Sequence, residues 1–301
     1  MRVLLAGATG TLGKPLVAQL NAAGHEVIGV ARSAAGVATL QACGASSVLA
    51  DVMDRDALLR ALEGVTADAV VHELTALKKA PATFGAMRET NRLRIDGTAN
   101  LVQAFHAVGA TKFVTQSIVF GYGYRDHGDS VLTEQSRFGA LAGDGTDEPI
   151  AAMVSTEQQA FAIDGIALRY GLFYGDDRDT VERMLARRSL PVPARWRGSI
   201  PFVHHWDAAA ATVAALERGI PGRAYNVADD GPTSWREYIE AVSAASGAPK
   251  PLALPDGLIR AVAPYAGAMM TRLNLRVSSA LAKSELGWAP RYPTVVEGLS
   301  G

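Results

Sequence analysis

Short runs rich in Val, Ile and Leu alternate with longer segments of helical periodicity through the first two-thirds of the chain. A parallel sheet covered by helices on both faces satisfies this pattern, and few other architectures do. The spacing predicts strands over 2–6, 26–31, 47–50, 69–73, 112–116 and 166–169. Helices are predicted over 12–22, 37–42, 55–62, 87–108 and 151–163. In the fourth helical segment Leu93, Ala99, Leu101, Val102, Phe105 and Val108 recur near helical spacing before Gly109, a residue suited to end a helix. The fold class expected is α/β, a doubly wound parallel sheet.

Two stretches break the alternation. Residues 121–149 are rich in Gly, Asp, Glu and Tyr and exceed an ordinary connection, which reads as a functional or a flexible loop. After Tyr174 comes an arginine-rich piece (Arg178, Arg183, Arg187, Arg188, Arg195, Arg197) interspersed with Asp176, Asp177, Asp179 and Glu182, which reads as solvated surface. From Phe202 the alternation returns briefly, with an approach to a helix, a short strand AYNVAD, a helix over 234–245 and a Pro-rich tail. These pieces form a smaller C-terminal lobe, in which Trp196, Trp235, Tyr265, Met269 and Met270 read as core or as apolar walls of a substrate pocket.

Composition narrows the function classes. A chain of 301 residues with 49% hydrophobic and 20% charged letters is not disordered. The formal net charge of −1 supplies no global field for nucleic acid or an anionic membrane, so neither is expected as a partner. Cys43 is the only cysteine, which excludes an internal disulfide and a cysteine-based zinc site; no metal is expected. The first 20 residues superficially resemble a leader, but Gly7, Gly10 and Gly13 interrupt the apolar run, and Lys14 and Pro15 follow it. No apolar run reaches the length of a membrane span, and a cytoplasmic location is expected.

Residues 4–13, LLAGATGTLG, place Gly7, Gly10 and Gly13 in a G-x-x-G-x-x-G turn directly after the first strand and at the start of the first helix. Glycine there permits a tight turn and close approach of backbone to a pyrophosphate, and unpaired helical N–H groups favour an anion. At the end of the second strand, where a carboxylate would hold the ribose hydroxyls of NAD, the chain reads Ala31-Arg32-Ser33. A guanidinium suits the 2′-phosphate of NADP, so NADP is expected over NAD. Asp51, after the third strand, either reaches the adenine amino group or caps the helix near Arg55. The fold expected is therefore of Rossmann type. Residues 1–173 and 202–228 make the dinucleotide-binding domain, and 174–201 and 229–301 the substrate lobe.

An ordered set of fragments adds to this reading. The glycine turn, Asp51-Val52, VVHELTA (70–76), DGTANLVQA (96–104), KFVTQS (112–117), ALRYGLFYG (167–175), FVHHWDAAAA (202–211), AYNVADD (224–230) and LGWAPRYP (286–293) together resemble an extended or atypical short-chain dehydrogenase/reductase of the NAD-dependent epimerase/dehydratase group. The resemblance spans essentially the whole chain. It implies an enzyme of NAD(P)-dependent oxidoreductase or epimerase type and extends the cofactor contacts to Thr9, Thr11, Leu12, Val52, Leu74 and Thr75. It also implies a monomer or a homodimer, the latter paired through long helices such as 87–108.

One departure matters more than any match. The family carries a Ser or Thr near the fifth-strand tip and a Tyr-x-x-x-Lys on the next helix, where the Tyr exchanges the substrate proton. Here that helix reads DEPIAAMVSTEQQAF, with Pro149 and Met153 aligned to the pair and no Tyr or Lys in any register. Ser117, or Ile118 in a shifted register, stands at the fifth-strand tip; Tyr122 is the first candidate phenol, with Tyr124, Tyr170 and Tyr174 nearby. Ser117 and Tyr122 are taken as the candidate catalytic pair. His72 and Glu73 at the fourth-strand tip, and Lys78 and Lys79 after it, add titratable groups, with His72 read as buried and hydrogen-bonded. The segment of His204, His205 and Asp207 reads as structural. The leading expectation is an NADP-dependent oxidoreductase acting on a small or medium organic carbonyl, hydroxyl or sugar-like substrate. A catalytically silent NADP-binding sensor and a non-redox isomerase or cyclase are the alternatives.

Overall fold

The computed structural model describes residues 1–77, 80–175 and 178–300. Lys78, Lys79, Asp176 and Asp177 lie outside the described residues. The central sheet has seven strands: β1 (Arg2–Ala6), β2 (Glu26–Ala31), β3 (Ser46–Leu49), β4 (Ala69–His72), β5 (Lys112–Ile118), β6 (Ile166–Tyr170) and β7 (Ala224–Val227). They lie parallel in the order β7-β6-β5-β4-β1-β2-β3. The chain leaves β1 toward β2 and β3, then returns to β4 on the other side of β1. The strand order therefore reverses between β1 and β4, where open α/β sheets bind their ligands.

Alternation along each strand assigns its side chains to opposite faces. Val3, Leu5, Val27, Val71, Val114 and Leu168 pack on one face against Leu16, Val17 and Leu20 of helix α1 (Gly13–Ala22) and against the helix His205–Arg218. Leu4, Ala6, Ile28, Val70 and Phe113 turn to the other face and meet α3 (Arg55–Ala61) and the helical segment 88–107. Between α1 and α3, helix α2 (Ala34–Ala42) begins at Ser33, whose hydroxyl accepts from the Gly36 N–H, and ends at the exposed Cys43.

The segment 88–107, here α4, is continuous but irregular. It runs as Arg88–Arg92, a π-helical turn at Leu93–Gly97, and Thr98–Ala107. The hydrophobic spacing predicts one helix and gives no sign of the insertion, which buries Arg94 and Gly97 and leaves Leu93 half-buried.

The stretch 121–149 holds regular structure as well as loop. A turn of 3₁₀ helix, Val119–Tyr122, leads to the strand Asp126–Leu132, which pairs in parallel with Asn274–Val277 of the lobe. Helix α5 (Asp147–Phe161) starts earlier than the predicted 151. Pro149 lies in its first turn, where a missing N–H costs no intrahelical bond. The Asp147 carboxylate accepts from the N–H groups of Ala142 and Gly143.

The lobe is knit by short pairs: Leu172–Tyr174 with Phe202–His204, Val192–Pro193 with Ala253–Leu254, and Ser199–Ile200 with Thr233–Ser234. Its helix Trp235–Ser246 opens on a reciprocal cap between Ser234 and Glu237 and closes on Gly247 at φ 67°. A separate core joins lobe to sheet, with Tyr122, Tyr124, Phe202, Tyr238, Tyr265, Met269 and Met270 packed together. No helix among the described residues is long and apolar enough to cross a membrane.

Candidate active site and cofactor cradle

The glycine turn sits at the point where the strand order reverses. Gly7 takes φ 100°, and a Cβ there would lie 2.5 Å from the Glu73 carbonyl oxygen, so only glycine lets β1 and β4 approach this closely. A Cβ on Gly13 would collide with the carbonyls of Gly7 and Ala8, which fixes the start of α1 against the turn. Gly10 donates its N–H to the Gly7 carbonyl at 2.9 Å. Thr9, Gly10 and Thr11 are exposed on the rim, while Leu12 and Gly13 are buried beneath it. The first turn of α1 has no side-chain cap and no acidic residue; Lys14 already donates its N–H to the Gly10 carbonyl at 3.2 Å and Pro15 has none, so few of its N–H groups are left for an anion. This cradle fits a diphosphate.

Along the rim, Arg32 is exposed at the end of β2. Asp51, also exposed, accepts from the Met53 N–H at 3.0 Å. The cap of α3 is Asp54, which accepts from the Ala57 N–H at 2.9 Å, so Asp51 is not that helix's cap. Val52 is buried, and its carbonyl accepts from Asn100 Nδ2 at 2.8 Å. At the β4 tip the Leu74 carbonyl accepts from Gln116, the Leu74 N–H donates to His72 Nδ1 at 3.2 Å, and Thr75 is exposed.

His72 is fully buried. Because Nδ1 accepts, Nε2 carries the proton and faces Thr98 Oγ1 at 3.1 Å. Burial, aided by the nearby Arg94 charge, lowers its pKa from 6.5 to about 4, so the ring is neutral at physiological pH. The Thr98 hydroxyl in turn donates to the Arg94 carbonyl at 2.6 Å, and Thr156 of α5 donates to the same carbonyl at 2.7 Å. Two hydroxyls thus occupy a carbonyl in the π turn.

Glu73 faces the other side of the sheet. Its Oε1 lies 3.1 Å from the Tyr170 hydroxyl, which is 2.7 Å from Thr212 Oγ1, which donates to the Ala208 carbonyl at 2.9 Å. Three bonds link these groups and the two hydroxyls bring two protons; a protonated Glu73 supplies the third. Burial pushes its pKa from 4.5 up to about 8, in agreement with that count.

At the fifth-strand tip Ser117 donates to Glu157 Oε1 of α5 at 2.6 Å. Arg169 of β6 grips the same carboxylate through Nε at 2.8 Å and Nη2 at 2.7 Å, and its Nη1 donates to the Tyr122 hydroxyl at 2.9 Å. Tyr122 donates toward Asn226 Oδ1 and the Thr133 carbonyl, each at 2.9 Å, and Phe138 lies under the guanidinium at 3.9 Å. The structure therefore brings Ser117 and Tyr122 together, but as members of a buried network whose phenol is already fully engaged. Pro149 and Met153 are buried on α5 beside it.

Sequence reasoning missed the Glu157–Arg169 pair. Its signal is an arginine inside the apolar strand IALRY, since a buried charge needs a partner. Also missed was Arg94, in the π turn next to the bonded hydroxyls of Tyr124 and Tyr265. His204 caps the helix His205–Arg218, and Asp207 accepts from the N–H groups of Arg291 and Tyr292, so this segment ties down the tail. Among the described residues no group of His, Cys, Asp or Glu is arranged to hold a metal.

Residues 3–228 match the model of the NAD dependent epimerase/dehydratase family. The chain belongs to that family. Membership makes this epimerase/dehydratase-family chain an oxidoreductase- or epimerase-like enzyme with a nicotinamide dinucleotide site. Among curated relatives, it is 37% identical over 312 residues to a 3-diazoavenalumate denitrifying reductase from Streptomyces sp., covering 99% of both chains. It is 28% identical over 265 residues to a 2-alkyl-3-oxoalkanoate reductase from Stenotrophomonas maltophilia, covering 83% of this chain and 77% of that one. The human epimerase family protein SDR39U1, solved with NADPH, superposes with a TM-score of 0.78 at 20% identity, covering 100% of this chain and 98% of that one. The last likeness concerns the fold.

Proposed function

We propose that this chain is an NADPH-dependent reductase whose acceptor is a diazo group, released as dinitrogen. The observation that carries the reading is the catalytic wall itself. Pro149 and Met153 stand where the resemblance places a Tyr and a Lys, and the nearest phenol, Tyr122, is spent on Arg169, Asn226 and Thr133. Reduction of a carbonyl leaves an alkoxide that needs a proton at the acceptor. A diazonium carbon–nitrogen group needs none: hydride added at its terminal nitrogen gives a neutral diazene, R–N=N–H. Cleavage of the C–N bond then releases N₂ and leaves the hydrogen on carbon. The Streptomyces relative, a denitrifying reductase of a diazo compound, supports this choice.

A bound reduced nicotinamide supplies the hydride. The turn Gly7–Gly13 would hold its diphosphate, Arg32 its 2′-phosphate, and Asp51 and Val52 its adenine end, with Leu74 and Thr75 on the nicotinamide side. Ser117 and Tyr122 act as positioning residues, holding Glu157 and Arg169 so that the wall stays closed to water. A carbonyl acceptor is the second reading, favoured by the oxoalkanoate reductase relative.

One assay separates the two. Purified protein is given NADPH with either nitrogen-labelled benzenediazonium or a panel of ketones and aldehydes, and nicotinamide absorbance is followed with headspace mass spectrometry. The expected result is labelled N₂ released in equal moles with NADPH consumed, well above the enzyme-free blank, and no carbonyl turnover. Oxidation of NADPH by a ketone without diazonium turnover transfers the assignment to the carbonyl reading.

A further inference from the structure

Arg94 is 6% exposed, yet among the described residues no carboxylate pairs with it and no acceptor lies within hydrogen-bond distance of its Nη1. Leaving a guanidinium in such a place is costly, and buried charges are ordinarily paired. The π turn that carries it is itself held by the Thr98 and Thr156 hydroxyls on its carbonyl, so the backbone fixes this side chain in the junction between sheet and lobe. There it faces Tyr124, 1% exposed, and Tyr265, 6% exposed, whose hydroxyls bond each other at 2.9 Å across that junction. Asn91, three residues earlier on the same helical face, is 3% exposed; its Nδ2 donates to Glu148 while its Oδ1 has no partner. An orphan donor and an orphan acceptor thus share one buried face.

We infer that Arg94 is the anchor for a carboxylate on the substrate, with Asn91 Oδ1 accepting from a donor group of the same molecule. Arg binds a carboxylate through two parallel hydrogen bonds, and the bonded phenols of Tyr124 and Tyr265 leave one O–H proton free to donate beside it. Phe84, edge-on to Tyr265 at 5.7 Å, adds an aromatic wall, so the class of ligand is a planar or aryl organic acid. The inference rests on the proposed function only in taking the junction as the substrate side of the site. It deepens that reading by naming the acid. A structural role for the arginine predicts the opposite energetics, because a satisfied buried ion destabilises when removed whereas an unpaired one stabilises.

The test uses the protein loaded with NADP⁺ and titrated calorimetrically with benzoate, cinnamate and cinnamamide, for wild type, Arg94→Met and Arg94→Lys. We expect at least one acid to saturate wild type, Arg94→Met to weaken it by roughly tenfold or more, Arg94→Lys to recover part of the loss, and cinnamamide to bind all three alike and weakly. NADPH affinity should be equal in the three proteins. Without ligand, Arg94→Met should melt a few degrees above wild type. No saturation by either acid, equal acid affinity in Arg94→Met, a parallel loss of NADPH affinity, or a lowered melting temperature in that variant would each overturn the assignment. None of these readouts requires turnover, so failure of the diazo assay leaves the result interpretable.

Discussion

The proton on Glu73 is the sharpest residue-scale consequence of burying a carboxyl at the point where the strand order reverses. Its pKa rises from 4.5 to about 8 because burial disfavours the charged form. Between those values the folded chain holds a proton that the unfolded chain has released, so stability falls as pH rises through that window and levels off above it. Glu73→Gln, which keeps a donor for Tyr170, should remove this slope. In urea unfolding at several pH values, the variant should gain on wild type from about pH 5 upward, by up to several kcal/mol at pH 8, and match it below pH 4.5. Asp229, raised by burial from 3.8 to about 8, keeps a similar slope in both proteins. A titration in which the two proteins run parallel would show that Glu73 is ionised when folded. None of this was legible beforehand: VVHELTA places Glu73 at a strand tip, but its partners Tyr170 and Thr212 come from distant segments.

Elements were read more faithfully than their irregularities. The predicted strand 2–6 is observed as Arg2–Ala6, and 47–50 as Ser46–Leu49, because a buried parallel strand leaves a short apolar run with turn residues on either side. The π turn at Leu93–Gly97 left no such trace. What holds it is the pair of hydroxyls on the Arg94 carbonyl, from Thr98 on the same helix and Thr156 on α5. Either bond alone keeps that carbonyl satisfied, so the two substitutions should not add. We expect Thr98→Val and Thr156→Val each to cost about 1–2 kcal/mol and the double variant more than their sum, since only then is a buried acceptor bare. A double-mutant cycle by chemical denaturation measures the coupling, and simple additivity would mean that the carbonyl is satisfied otherwise.

At the scale of the molecule, the chain divides its labour between the sheet's rim and the junction beneath the lobe. The rim was legible because its three glycines recur within one short segment, although only Gly13 is required by the turn itself while Gly7 is required by the Glu73 carbonyl of the neighbouring strand. The junction was not, because Arg94, Tyr124 and Tyr265 meet only after the lobe folds back over α4. The rim also yields a clean expectation. Arg32→Ala should weaken NADPH by roughly ten- to a hundredfold while leaving NADH within a factor of two, read by fluorescence titration of each nucleotide; an equal change for both removes the 2′-phosphate contact. Helix α2 carries the chain from Ser33, next to Arg32, to the exposed Cys43 at the opposite end of the sheet. As the sequence holds no other thiol, a maleimide dye attaches at one known point remote from the cradle. The native chain thereby accepts a fluorescent reporter, or an oriented surface tether, without engineering.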